Sequence, residues 1–576
     1  MKSTEIEAGK MGEEELTGRT KPPYFKKIKE LVFGGGRINM SNWLDILTEV
    51  YGDRASIYLE KELDYPFFKG KTITYRAAME FVNRIGNALL KQGIGEGDRV
   101  VLITSNRVEL VFACFAVMKI GAIAVPLNFM FRAPEIKYIV ENCGARCVIV
   151  DWDVFVLNVK DASFAPSVEK WLIVTRREAP EGFLSLRKLM SEAGGGLAPK
   201  EFIPEKIVAI LYTSGTTGFP KGALLTNEAF SRTVRREARL AAVLPTSRAQ
   251  LGVFTLPVAH IMGYIMTISF FAFALPWYFI SRFTPEKVLK TIEKHRGTTF
   301  VGVPTMYAVL AACGPEKYDL SSIKVWGAAG DAMPVERIRH FKRFGGVHLW
   351  KLRIPPLYFE GYGQVETVGI TCLKTAWHWR VPKPGSVGRV VRALHHKIVD
   401  QNGKTVRRGE VGVLAVKGPR VCRGYWANEE ANREAFLDGE WFLTGDLVRA
   451  DRRGRLYFVD REKDMIKCGG YSIFSKEVEE ELKNHPAVAE VGVIGIPDEM
   501  KGQIPVAVVS LKPGKKAAED ELVQWGRENI AGYKAPRHVR IVKDMPLGMT
   551  FKVDKKELRR LYTEEFREIL AGKRRV

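Results

Sequence analysis

The chain has 576 residues, 46% of them hydrophobic, with 88 Lys and Arg against 66 Asp and Glu for a formal net charge of +22. That length exceeds what one hydrophobic core usually serves, so two or more soluble globular domains are expected. The charge fits nucleic acid, an anionic membrane surface, small polyanionic substrates or merely a solvated basic surface, and no RNA-module signature or zinc-finger spacing makes nucleic acid a partner. Seven scattered cysteines without a C-x-x-C argue against a disulfide framework and a structural zinc site, which fits a reducing cytoplasm.

The first 40 residues read as a polar extension without the apolar stretch of a signal peptide. Beyond them, apolar runs such as DRVVLI (98–103), IVAILYT (207–213) and TTFVGVP (298–304) alternate with helical stretches such as VELVFACFAVMKIG (108–121). This alternation predicts an α/β fold with largely buried strands.

Directly after the second run stands LYTSGTTGFPKG (211–222). It fails as a Walker loop, because Pro220 takes the place of the second Gly and Gly222 that of the Ser or Thr that holds a metal. Its small and hydroxylated residues Thr213, Ser214, Gly215, Thr216, Thr217 and Gly218 still offer N–H and O–H donors to anionic oxygens, and Lys221 adds a mobile positive charge. Asn227, shortly after, is expected to cap the next helix.

Residues 249–280 carry no Asp, Glu, Lys or Arg and could span a bilayer by length alone. Pro257, His260, Gly263 and Pro276 interrupt the stretch, so it reads as a buried strand, loop and helix. His260, a single His in an apolar run, reads equally as a ligand-facing group and as a satisfied core residue. EGYGQVETVG (360–369) contains a Gly-x-Gly, but Glu366 stands where a dinucleotide fingerprint has its third Gly.

A boundary is expected near Asp460, where a strand-like GRLYFVD meets the charged REKD of 461–464. The domains read as a large one over 41–460, a hinge over 461–464 and a small α+β one over 465–576, of about 110 residues. In the small domain Ser475 is expected to cap a helix over SKEVEEELKNHP, followed by two strands, VAEVGVIGIP and IPVAVVSL, and the helix AAEDELVQWGREN.

Taken whole, YTSGTTGFPKG resembles the signature of the AMP-forming adenylating superfamily, which includes acyl- and aryl-CoA ligases, peptide-synthetase adenylation domains and luciferases. The resemblance runs from about Trp43 to Arg567 with the motifs in order: EGYGQVETVG, WFLTGDL (441–447), DREKDMIKCGGYSIFSKEVE (460–479), YKAPRHV (533–539) and PLGMTFKVDKKELR (546–559). It implies a large multi-subdomain N-terminal α/β domain with a small, mobile C-terminal one. It also implies ATP, Mg²⁺ and CoA as cofactor and co-substrates, with a carboxylic acid as the small-molecule partner, in a monomer or homodimer. Contact with a membrane surface stays open.

By the same resemblance, Glu366 holds Mg²⁺. Tyr362 lies against adenine, with Gly361 and Gly363 leaving room for the base, and Gly330, Asp331 and Ala332 form the opposite wall. Asp446 takes the ribose hydroxyls with Arg461 assisting, and Lys552 and Lys221 serve the adenylation step. His260 and Gly263 border the acyl group, Gly469 and Gly470 face the CoA channel after the small domain rotates, and Lys463 is the hinge. This chain departs from the pattern at Val365 in place of a Thr, at Phe551 in place of a Gly, and at Asn227 in place of a His.

The implied activity is an ATP-dependent acyl-CoA ligase acting on an apolar, medium- to long-chain fatty acid through an acyl-adenylate. An aryl-acid CoA ligase and an acyl- or aryl-AMP ligase feeding a carrier protein are the alternatives within that chemistry. A regulatory acyl-AMP-binding protein whose catalysis has decayed is the alternative outside it, kept open by Val365 and Phe551.

Overall fold

The computed structural model describes residues 38–570 other than 160, 161, 164, 175–177, 202, 214–219, 244–249, 350, 351, 378, 470 and 549–551. Ser214, Gly215, Thr216, Thr217, Gly218, Gly470, Phe551 and nearly all of the polar N-terminal extension therefore lie outside the described residues.

Among the described residues a seven-stranded sheet is built from Arg99–Ile103, Ile123–Pro126, Cys147–Val150, Lys170–Ile173, Leu184–Ser185, β1 (Ile207–Thr213) and β2 (Lys221–Thr226). Its pairs are parallel up to β1, and the inner strands are buried on both faces, which is why they read as continuous apolar runs. The helix Val108–Lys119 is buried along its whole length, as an all-round apolar helix must be.

A fourteen-stranded sheet carries most of the second half of the large domain. Its middle strands include β3 (Val325–Ala329) and β4 (Leu357–Gln364), which pair in parallel. From β4 onward it becomes antiparallel through β5 (Gly369–Ala376), β6 (Ser386–Val390), β8 (Leu456–Arg461) and β7 (Trp441–Ala450). The uncharged stretch resolves into the strand Gly252–Phe254, helix α1 (Ile261–Ala272) and the strand Trp277–Phe279. No described helix is long and apolar enough to cross a membrane.

Residues from Ile466 on make their own five-stranded sheet, centred on the antiparallel pair Val488–Asp498 and Gly502–Leu511. Alternate residues of that pair serve two cores: Val491, Val493, Ala507 and Val509 pack with Leu522, while Ile494, Ile496, Val506 and Val508 pack with Leu558 and Phe566. Helices α2 (Ser475–Lys483) and α3 (Lys555–Leu570) flank it.

Two caps differ from expectation. Ser475 is the first residue of α2, and its hydroxyl donates 2.8 Å to Asp460, whose carboxylate also accepts the Lys476 N–H. A charged acceptor at the end of β8 thus caps the helix, and the Ser475 hydroxyl, already on the first helical residue, donates to that acceptor. Asn227 likewise lies inside its helix; Thr226 Oγ1 accepts the Ala229 N–H, and Asn227 Oδ1 accepts from the Met40 N–H and the Ser231 hydroxyl.

Candidate active site

The hairpin of β1 and β2 sets Thr213 opposite Lys221, so the ends of the glycine- and threonine-rich loop are held side by side. The Lys221 ammonium lies 5.6 Å from the centre of the Tyr425 ring. Tyr425 in turn donates its hydroxyl to Glu366 Oε1 at 2.9 Å. One aromatic side chain therefore joins the loop lysine to the carboxylate of the next motif.

Glu366 sits in the short 3₁₀ turn Val365–Thr367 between β4 and β5, 8% exposed, and burial raises its pKa despite the Tyr425 bond. Among the described residues no cluster of three His, Cys, Asp or Glu forms a metal cage. A single buried carboxylate fits a hard cation that arrives with nucleotide phosphates and takes its other oxygens from them and from water. Val365 packs partly buried against the large core, where its methyl group stands in the place of a Thr hydroxyl.

Asp446 lies in β7 directly opposite Arg461 of β8, with Arg461 Nε 3.7 Å from Oδ1. Its Oδ2 accepts from the Tyr362 hydroxyl and, at 2.8 Å, from Gln364 Nε2. Burial raises the carboxyl's pKa, while the Arg461 charge and these two donors pull it back. Gly361 to Gln364 pair with Gly369 to Leu373. A side chain at Gly363 would stand 1.8 Å from the Gly369 carbonyl and one at Gly361 would stand 2.9 Å from Ile370, so both glycines serve the strand pair.

The segment after β3 closes the cleft from the other side. Gly330 has φ +90°, a conformation that suits glycine, and Asp331 Oδ1 accepts the Ala332 N–H at 2.8 Å. The Lys552 ammonium donates to the Gly330 carbonyl and lies 3.9 Å from Asp331 Oδ2. Lys476, from α2, approaches the same carboxylate at 3.8 Å. Burial pushes the Asp331 pKa up, but the Lys552 and Lys476 charges outweigh it and hold the carboxyl below its ordinary range.

His260 is the N-cap of α1, its Nδ1 accepting the Met262 N–H at 3.3 Å. Its ring opens to the cleft yet is walled in by protein, and that enclosure, with the Lys552 charge second, lowers its pKa to about 4. The imidazole is therefore neutral at physiological pH, and with Nδ1 accepting, Nε2 carries the proton. At Gly263 a Cβ would fall 2.0 Å from the Pro257 carbonyl, so the missing side chain lets the loop close on α1.

Lys463 is exposed in the 3₁₀ turn Glu462–Asp464, whose Asp464 is buried and bound at 2.8 Å to Arg559 of α3. Gly469 lies in a turn of the small domain, φ +56°, its N–H donating to Lys501, and is not among the groups gathered at the cleft. The structure thus brings together Thr213, Lys221, Glu366, Tyr362, Asp446, Arg461, Gly330, Asp331, His260 and Lys552. It adds Tyr425, Gln364 and Lys476, which sequence reasoning did not single out.

A cleft with Thr213 and Lys221 on one side, buried carboxylates on the other and a lysine from a second domain reaching across suits the chemistry of an adenylate-forming enzyme. The AMP-binding enzyme family matches residues 50–426 and its C-terminal domain matches residues 477–552. A long-chain-fatty-acid–CoA ligase of Bacillus subtilis (strain 168) is 31% identical over 532 residues, covering 86% of this chain and 91% of that protein. A feruloyl-CoA synthase of an Amycolatopsis species is 31% identical over 506 residues, covering 86% and 94%. Among solved structures, the anthranilate CoA ligase AuaEII in complex with anthranoyl-AMP gives a TM-score of 0.77 at 27% identity, covering 93% of this chain and 99% of that one. O-succinylbenzoate coenzyme A synthetase from Bacillus subtilis, in complex with ATP and magnesium ion, gives 0.73 at 27% identity, covering 90% and 99%. The chain belongs to the AMP-binding enzymes, the AMP-forming acyl- and aryl-CoA synthetases of the adenylate-forming superfamily.

Proposed function

We propose that the protein activates an apolar carboxylic acid, a medium- to long-chain fatty acid in first place, as an acyl-adenylate and then passes it to CoA. In the first step a carboxylate oxygen attacks the α-phosphorus of ATP, the bond to the β-phosphate oxygen breaks, and pyrophosphate leaves. In the second the thiol sulfur of CoA attacks the acyl carbon, AMP departs with the acyl oxygen, and the thiol proton goes to solvent.

The observation that carries this reading is the Lys552 ammonium at Gly330 and Asp331, where it faces the same cleft as Asp446 and His260. A cation there offsets the negative charge that builds when two anions meet. Asp446 and Arg461 would take the ribose, Tyr362 the adenine, and Lys221 with the loop of Thr213 to Gly218 the departing pyrophosphate. Glu366 would hold Mg²⁺, which supplies further charge neutralisation at the phosphates when bound. Neutral His260, donating from Nε2, suits a carboxylate oxygen. Gly469 and Gly470 would border the CoA channel after rotation about Lys463.

The apolar acid is favoured by α1, twelve residues without a charge, of which Ile261, Ile265 and Ile268 are buried. An aromatic acid is the second reading, favoured by the likeness to a feruloyl-CoA synthase and an anthranilate CoA ligase. The purified protein, given ATP, Mg²⁺ and CoA with acetate, octanoate, palmitate and benzoates in turn, should release pyrophosphate and form thioester fastest with octanoate or palmitate. Preference for a benzoate selects the second reading. Pyrophosphate without thioester points to a carrier-protein acceptor, and no pyrophosphate from any acid overturns the enzyme reading of this cleft.

A further inference from the structure

Where β5 leaves the cleft it runs to the surface, and Leu373, Thr375 and Trp377 point outward in alternation. Trp379 follows on the loop to β6. Trp377 is 58% exposed, Trp379 63% and Leu373 39%, a density of exposed large apolar groups that water does not favour. These residues line an open groove of about 1200 Å³, together with Lys383, Arg389 and Arg455. Arg380 also lines it, and among the described residues no carboxylate does. Arg455 is bound to Asp451, and the turn that carries it, between β7 and β8, also holds exposed Arg452 and Arg453.

The buried Lys342 donates at 3.0 Å to both the Ala376 and Arg380 carbonyls, clamping the segment at its two ends, and the Arg380 N–H closes a turn onto the Trp377 carbonyl.

We propose that this face docks on a membrane surface rich in anionic lipid, with Trp377, Trp379 and Leu373 entering the interface and Arg380, Lys383 and Arg389 meeting lipid headgroups. Trp prefers the headgroup level, where its ring is half apolar and its N–H stays wet. Clustered cations add attraction to an anionic leaflet, and the net charge of +22 works in the same direction. The aliphatic Leu373 on the same face suits acyl chains and stacks poorly on a nucleic-acid base, which sets a bilayer above a single-stranded polyanion. The proposal does not depend on which acid the cleft activates.

Co-sedimentation of the full chain with large vesicles tests it. The wild type should pellet with phosphatidylcholine vesicles that contain phosphatidylglycerol and only weakly with phosphatidylcholine alone. Trp377→Ala with Trp379→Ala should weaken binding at least about tenfold. Lys383→Gln with Arg389→Gln should weaken it on the order of twentyfold and erase the lipid preference. Lys515→Gln with Lys516→Gln, exposed lysines of the small domain, should change little. All variants should keep wild-type pyrophosphate release in vesicle-free solution, which shows that they fold. No pelleting of the wild type, equal binding by every variant, or an equal loss in the Lys515 and Lys516 variant overturns the proposal. So does tighter binding of a single-stranded oligonucleotide that the groove variants abolish.

Discussion

Asp446 and Lys552 face one cleft and are held there in opposite ways. Asp446 is 3% exposed within a sheet, accepts from Tyr362 and Gln364, and has Arg461 opposite it across the strand pair. The Lys552 side chain is 40% exposed, belongs to a different sheet's domain, and meets the large domain at one carbonyl and one carboxylate 3.9 Å away. The first group is fixed by the fold; the second is present only while the two domains are docked. On the proposed reading, the groups that would bind the nucleotide are thus preorganised, while the charge that would serve the reaction can be withdrawn. A two-step enzyme needs that separation, because a second substrate must reach the acyl carbon after the first step.

The largest effect should come from removing the movable charge. Lys552→Ala is expected to slow acid-dependent pyrophosphate exchange by about 100- to 1000-fold, the range for losing a charge-stabilising group at a reacting centre. Thioester formation from supplied acyl-adenylate should stay near wild type, since that step develops no charge at the lysine. Equal losses in both half-reactions would put Lys552 among the binding groups and end the contrast.

Asp446→Asn tests the fixed side. It should raise KM for ATP by about 10- to 100-fold, the worth of a charged hydrogen bond to a ligand, and leave kcat much less changed. A fall in kcat alone would mean that the aspartate acts on the reaction and not on ribose.

The connection between the two regions is the third place to intervene. Lys463→Pro fixes φ near roughly −65° in the 3₁₀ turn that joins β8 to the small domain. Pyrophosphate exchange should survive, because the docked arrangement is the one in which Lys552 reaches Gly330. Transfer to CoA should fall on the order of tenfold if the turn must change its dihedrals between steps. Normal thioester production by the folded variant would move the pivot elsewhere.

The same contrast marks what could be read from the sequence. Strands such as Arg99–Ile103 and Val488–Asp498 were legible because burial writes itself as continuous or alternating apolar residues. The long motifs were legible as a resemblance, with Asp446, Glu366 and Lys552 among their residues. The packing role of the glycines was not legible, since a missing side chain does not say which neighbour takes its room: Ile370 and the Gly369 carbonyl for Gly361 and Gly363, the Pro257 carbonyl for Gly263. Tyr425 was missed because its partner Glu366 is 59 residues away, and Lys476 because a lysine in the first turn of a helix reads as a solvated charge. Caps failed for a related reason. Asp460 reaches α2 across 15 residues, and local spacing rules see only the Ser475 that follows it.

The smallest expected effect links the two regions through His260. Its folded pKa of about 4 lies below its ordinary 6.5, so between those values the unfolded chain takes up a proton that the folded chain refuses. Stability from this group is therefore full above about pH 6.5 and falls as pH drops toward 4. His260→Asn keeps a side-chain acceptor for the Met262 N–H and removes the titration. The variant should match wild type in urea midpoint at neutral pH and lose less stability than wild type across that acidic window. Identical pH profiles would show that the ring does not titrate there. Lys552→Ala should also raise the His260 pKa, because the lysine charge is the second cause of its depression and acts only while the small domain is docked. Ring titration by NMR in the two proteins reads that docking directly: an unchanged His260 pKa in Lys552→Ala would mean that the lysine spends little time at the cleft in solution.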